Sequence, residues 1–151
     1  MRFQHTNTLA AAFAGIATAF SHSALSDTRV EPMKIEIIVD GETLTATLND
    51  SAAARDFAAQ LPLEVQLKDY HGIEKVFDPP AKLSTAGAPS GYDPDVGDIT
   101  FYAPWGNIAI FYKDFGYSSG LIPIGRIDGD MALLSRPGPL PARIELAGSP
   151  D

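Results

Sequence analysis

Apolar and polar residues alternate with a period of two over several short stretches, and this pattern restricts the chain to an architecture of pleated strands. In MKIEIIVDGETLTATLND, which begins at Met33, Ile35, Ile37 and Val39 share one face, and Leu44, Ala46 and Leu48 follow beyond Asp40-Gly41. A dipeptide of that kind accepts the positive φ angles of a tight turn, so the stretch reads as a β-hairpin. LEVQLKDY sets Leu63, Val65 and Leu67 against Glu64, Gln66 and Lys68, which suits a strand with one wet face. Between the two, SAAARDFAAQL spaces Ala53, Phe57 and Leu61 four residues apart behind Asp50 and Ser51. Either of those side chains can accept the first free N–H groups, which predicts one short amphipathic helix ended at Pro62.

Further strands are predicted over residues 73–77, in DITFYAP and NIAIFYK, over residues 121–128 in LIPIGRID, and in ARIEL near the end. DITFYAP and NIAIFYK join through Pro104-Trp105-Gly106-Asn107, where Gly106 can take a positive φ, so they form a second hairpin. Residues 78–97 hold four prolines and three glycines without periodicity and read as a long surface loop. Strands outnumber helices throughout, and a closed barrel or a sandwich would hide their edges. The fold class expected is therefore mainly β with one or two short helices. Hydrophobic residues make up 45% and charged residues 20% of the 151, the balance of one globular domain.

The first residues have a different layout. Arg2 precedes the apolar run LAAAFAGIATAF at residues 9–20, and the small residues of SHSA follow at 21–24. This reads as a signal peptide over residues 1–24, a short leader over 25–32 and a domain over 33–147, with export to the periplasm or beyond. The alternative is a true start at Met33 and a cytoplasmic protein. The apolar run is short of the roughly 20 residues that cross a bilayer as a helix, so no stable membrane insertion is expected. A net charge of −8 opposes a phosphate-backbone partner, so nucleic acid is not expected. The absence of cysteine removes disulfides, thiolate metal ligands and a cysteine nucleophile.

GAPSGYDPDVGDITFYAPWGNIAIFYKDFGYSSGLIPIGRID, with the opening MKIEIIVDG and the helix ARDFAAQLP, resembles the bacterial cyclophilin-like fold proteins over residues 33–128. The resemblance implies a small closed β-barrel of about eight strands with a helix packed against an open end. It carries over no catalytic residue. The F-H-R and Q-G-G-D segments of the isomerase cyclophilins are absent, and Arg55 and Arg126, the arginines of the matched region, sit in no comparable motif.

Other constellations are sparse. A signal peptide would leave His71 as the one histidine of the mature chain, in the turn-like DYHG, too few for a multi-histidine metal site. Asp93, Asp95 and Asp98 lack the spacing of a calcium loop and read as turn chemistry. Neither a metal nor a cofactor is expected. What remains is an aromatic cluster, Tyr102, Trp105, Phe111, Tyr112, Phe115 and Tyr117, around the second hairpin. Parity with Ile99 turns Phe101 to the core and Tyr102 away from it, and Trp105 falls at a turn where full burial is difficult. Arg126 shares parity with Ile122 and Ile124, and it pairs with a carboxylate or recognises an anion.

Tyr102, Trp105, Phe111, Tyr112, Tyr117 and Arg126 are thus the candidate ligand-binding residues, with the loop over residues 79–94 flanking a groove beside them. Exposed aromatics without a proton-transfer partner point to a binding module for a small apolar ligand or a proline-containing peptide. The enzymatic alternative is a peptidyl-prolyl isomerase using Arg126 or Arg55 on the twisted amide.

Overall fold

The computed structural model describes residues 31–149, so the signal-peptide reading of residues 1–24 lies outside the described residues. Ten strands and one helix follow in the order β1 Met33–Val39, β2 Glu42–Leu48, α1 Ala52–Ala59, β3 Leu63–Tyr70, β4 Glu74–Phe77, β5 Gly91–Tyr92, β6 Asp98–Tyr102, β7 Asn107–Phe111, β8 Ser118–Ser119, β9 Leu121–Ile127 and β10 Leu140–Leu146. Eight strands close a barrel in the order β1-β10-β3-β4-β7-β6-β9-β2, while β5 and β8 form a separate two-stranded pair. Every ladder is antiparallel, and closure leaves the barrel no free edge.

The period-two residues fill the barrel. Ile35, Ile37 and Val39 of β1, Ala46 and Leu48 of β2, Ile99 and Phe101 of β6, Ile108 and Ile110 of β7, and Ile144 of β10 form one buried cluster. The β1–β2 turn is made by Asp40 (φ 51°) and Gly41 (φ 77°), the left-handed pair that matches the twist of a hairpin.

Helix α1 closes the end of the barrel where β2 finishes and β3 begins. Ser51 is its N-cap, accepting from the Ala54 N–H at 3.1 Å, and Ala53, Ala54, Phe57 and Ala58 are buried. The ring of Phe57 lies 6.2 Å from that of Phe77. The first half of the long loop is pinned on this cap. Gln60 exchanges two 3.1 Å hydrogen bonds with the backbone of Ala81, the Asp56 carboxylate accepts from the Ser84 N–H at 2.7 Å, and Leu83 enters the core. One helix, rather than two, is present among the described residues, and it is too short to cross a membrane.

At the opposite end Asp69, Lys75 and Tyr112 continue the inward parity of Leu67, Phe77 and Ile110, so polar groups meet where the barrel opens. Lys75 is fully buried, 2.8 Å from Asp69, and donates to the Arg136 carbonyl at 2.5 Å. Tyr112 donates to Asp69 at 2.7 Å and offers its ring face to the Lys75 ammonium at 5.5 Å. The Gly138 N–H completes the set, donating to the second Asp69 oxygen at 2.7 Å. A buried ammonium is tolerated because its charge is paired and hydrogen-bonded.

Candidate functional site: an aromatic cavity on the outer sheet

All five residues of β7, Asn-Ile-Ala-Ile-Phe, are buried, so this strand is covered on both faces. Ile108 and Ile110 enter the barrel, whereas Ala109 and Phe111 point outward and join Leu121 in a second apolar cluster. Ile73, Val76, Tyr92 and Tyr102 pack against that cluster from neighbouring strands and loops. The covered outer face borders a cavity of about 460 Å³.

Aromatic rings define the cavity. Trp105 stands edge-on to both Tyr70 and Tyr102, with centroids 5.6 Å apart in each pair, and Phe115 stacks on Phe111 at 5.8 Å. Trp105 is 61% and Phe115 56% exposed, while Phe111 beneath is 1% exposed. His71 leans edge-on against Tyr70 at the tip of the β3–β4 turn, where its own φ is 52°.

Besides the tyrosine hydroxyls and the indole N–H, Glu74, Asn107, His71 and Ser118 are the polar side chains of the lining. Glu74 pairs in register with Phe111, and Asn107 pairs with Tyr102, four residues along β7. At about 3.3 Å per residue that places them about 13 Å apart along the strand. Burial alone pushes the Glu74 carboxyl up to about 7. Its side chain makes neither a hydrogen bond nor an ion pair among the described residues. Asn107 is 9% exposed, and its Oδ1 is buried without a hydrogen-bond partner. Native interiors rarely leave such atoms unpaired.

Of the six candidate residues, Tyr102, Trp105 and Phe111 line the cavity, and Tyr112, Tyr117 and Arg126 do not. Tyr112 has inward parity and belongs to the Lys75–Asp69 network, where burial, aided by its hydrogen bond to the Asp69 carboxylate and that group's charge, pushes its hydroxyl up to about 12. Tyr117 is 64% exposed and lies over Gly91 in the β5–β8 pair. A methyl group at Gly91 would collide with the Tyr117 hydroxyl and come within 2.6 Å of the Ser118 carbonyl. Gly91→Ala is therefore expected to cost about 1–3 kcal/mol and to loosen β5 from β8. Hydrogen exchange at Tyr92 and Ser119 measures that loosening.

Arg126 is placed differently from its sequence parity. The β6–β9 register shifts by one between Ile99 and Thr100, so Ile124 bulges and Ile122 and Ile124 both remain in the core. Beyond the bulge the faces exchange, and Arg126 emerges outside, opposite Asp98. It pairs with Asp98 at 2.7 Å and donates to the Val96 carbonyl at 3.0 Å. The second Asp98 oxygen accepts from the Tyr92 hydroxyl at 2.7 Å and the Asp95 N–H at 2.8 Å. Of the two roles open to Arg126, the geometry is that of the ion pair. Arg55, on the exposed side of α1, donates to the Asp50 carbonyl. The carboxylate of Asp98 organises the loop before β6, and no group of three or more potential metal-ligating side chains gathers among the described residues.

The loop over residues 79–94 contributes nothing to the 460 Å³ cavity. Its Lys82–Thr85 portion instead faces Ala103–Gly106 across a depression of about 190 Å³, with Trp105 standing between the two hollows. Sequence reasoning missed Tyr70, Glu74 and Asn107 as site residues. Glu74 did carry a signal, an acidic residue beginning a strand otherwise covered on that face, but only strand order brings it beside Phe111.

None of the curated proteins compared matches the chain. Among solved structures it is similar to the solution structure of the hypothetical protein AF2241 from Archaeoglobus fulgidus, at 19% identity and a TM-score of 0.56. The likeness covers 77% of this chain and 95% of that one, and at this identity it speaks for the fold. A model of the cyclophilin-like family matches residues 37–145, from the first strand of the barrel to the last. With the closed eight-stranded barrel and its single capping helix, this match establishes that the chain belongs to the cyclophilin-like family.

Proposed function

We propose that this protein is a binding module that takes a small, largely apolar ligand into the cavity on the outer face of β4, β6 and β7. The observation that carries the reading is an exposed Trp105 standing with Tyr70 and Tyr102 beside a cavity of about 460 Å³. That volume lies within the range that encloses a small organic molecule, and aromatic walls with a few polar groups are the usual lining of such pockets. Binding is favoured over prolyl isomerisation because the lining includes neither arginine nor lysine to hold a twisted amide oxygen.

Trp105 is the chain's one tryptophan, so its fluorescence reports on this cavity and on the shallower depression beside it. Titration with a panel of aromatic and aliphatic small molecules is expected to shift or quench that emission for at least one compound. Trp105→Ala is expected to weaken the same compound at least tenfold, read by calorimetry, while thermal stability changes little because the indole is mostly exposed. A panel that leaves the emission unchanged at millimolar concentrations sinks the reading. A proline-peptide exchange assay checks the enzymatic alternative, which gains support from acceleration lost on Arg126→Ala.

A further inference from the structure

The polar groups of the cavity narrow the class of ligand. Glu74 presents a carboxyl that burial alone disfavours in its charged form, and no cation among the described residues compensates it. At the other end, the Asn107 amide is nine-tenths buried with an acceptor oxygen left unpaired. Aromatic faces between them, Tyr70, Tyr102 and Trp105, attract cations and pack against flat or aliphatic bodies.

Resting on the binding reading above, we infer that the cavity is built for an elongated amine whose ammonium pairs with Glu74. The apolar body lies among the aromatic rings, and a hydrogen-bonding group at its far end meets Asn107. The chemistry is complementary at each point. An ammonium neutralises the desolvated carboxylate with charge-assisted hydrogen bonds. A hydroxyl both donates and accepts, so it satisfies the Asn107 amide in either orientation. The strand spacing of about 13 Å between the two residues, less the reach of their side chains, leaves room for a ligand roughly the length of a para-hydroxylated phenethylamine.

The protonation state of Glu74 ties affinity to pH. An ammonium favours the ionised carboxylate, so binding strengthens as pH rises through about 7. The other titratable groups facing the cavity are Tyr70 and His71 at the end of β3 and its turn, and Tyr102 on β6. The cavity residues from β7 and from 115–121 are not ionisable. A pH slope is assigned to Glu74 only if it disappears in Glu74→Gln.

The test uses the full chain and three probes, tyramine, 4-ethylphenol and phenethylamine, followed by Trp105 emission excited at long wavelength and by calorimetry. Tyramine is expected to bind at least tenfold more tightly than 4-ethylphenol at pH 8, and phenethylamine to fall between them. Glu74→Gln is expected to abolish the advantage of tyramine over 4-ethylphenol. If this variant fails to fold, Glu74→Met carries the same comparison. Equal affinities for tyramine and 4-ethylphenol, or an advantage that survives Glu74→Gln, overturn the amine assignment and leave the binding reading standing. Silence from all three probes overturns this inference, and silence extending across the wider panel removes the binding reading as well.

Discussion

Asp69→Asn is expected to destabilise the protein by about 3–5 kcal/mol, because it strands a buried ammonium without its counter-charge. Lys75 is fully buried, and Asp69 is its ion-pair partner at 2.8 Å. The neutral amide would also compete poorly for the Tyr112 hydroxyl and the Gly138 N–H, which both donate to the carboxylate. Lys75→Met is expected to cost far less, about 1 kcal/mol, because it removes the buried charge and leaves Asp69 partly exposed with two donors. Urea unfolding of both variants checks this asymmetry, and equal losses would refute it.

The same network sets an acid limit. The hydrogen bond from Lys75, assisted by Tyr112, Gly138 and the Lys75 charge and opposed by burial, holds the Asp69 carboxyl down to about 2. A carboxyl lowered in the folded state binds fewer protons there than in the unfolded chain. Its stabilising contribution is therefore present above about pH 4, near the unfolded value, and is lost as pH falls through about 2. In Asp69→Asn this part of the acid dependence should vanish.

Phe57→Ala is the second large effect, an expected loss of about 3–5 kcal/mol. Phe57 is 1% exposed and is the bulkiest residue that α1 inserts into the barrel end. Its neighbour Phe77 is tied to β7 by the strand ladder and cannot collapse far into the space. The helix itself is only eight residues long and depends on this packing rather than on its own propensity. A drop in the urea midpoint with an unchanged slope measures the effect. A loss below about 1.5 kcal/mol would mean that the site relaxes and that the long loop, through Leu83, holds the cap.

The strands were legible in the residues because half-buried strands must alternate. Met33 to Leu48 and Leu63 to Tyr70 carry that alternation and Asp40-Gly41 its turn, while the β6–β7 hairpin, buried almost throughout, was legible as two β-rich runs joined at Gly106. The helix was legible for a like reason, with Ser51 able to cap and Phe57 recurring on one face. The candidate site was half legible. Tyr102, Trp105 and Phe111 could be picked out because aromatic residues crowd one hairpin, and Phe101 could be sent inward by its parity with Ile99.

Tertiary structure alone decided the rest, and in each case the deciding quantity was non-local. A one-residue bulge at Ile124 is invisible in LIPIGRID, yet it reverses the face of Arg126 and delivers it to Asp98. Tyr112 differs from Phe111 by one position, and only the closing of the barrel reveals that one lines the outer cavity while the other seals a buried lysine. Glu74 and Asn107 lie thirty-three positions apart in sequence and become the two poles of one cavity through the β4–β7 ladder. Local periodicity determines which residues form strands. Which strands become neighbours, and therefore which side chains share a site, depends on how the whole sheet closes.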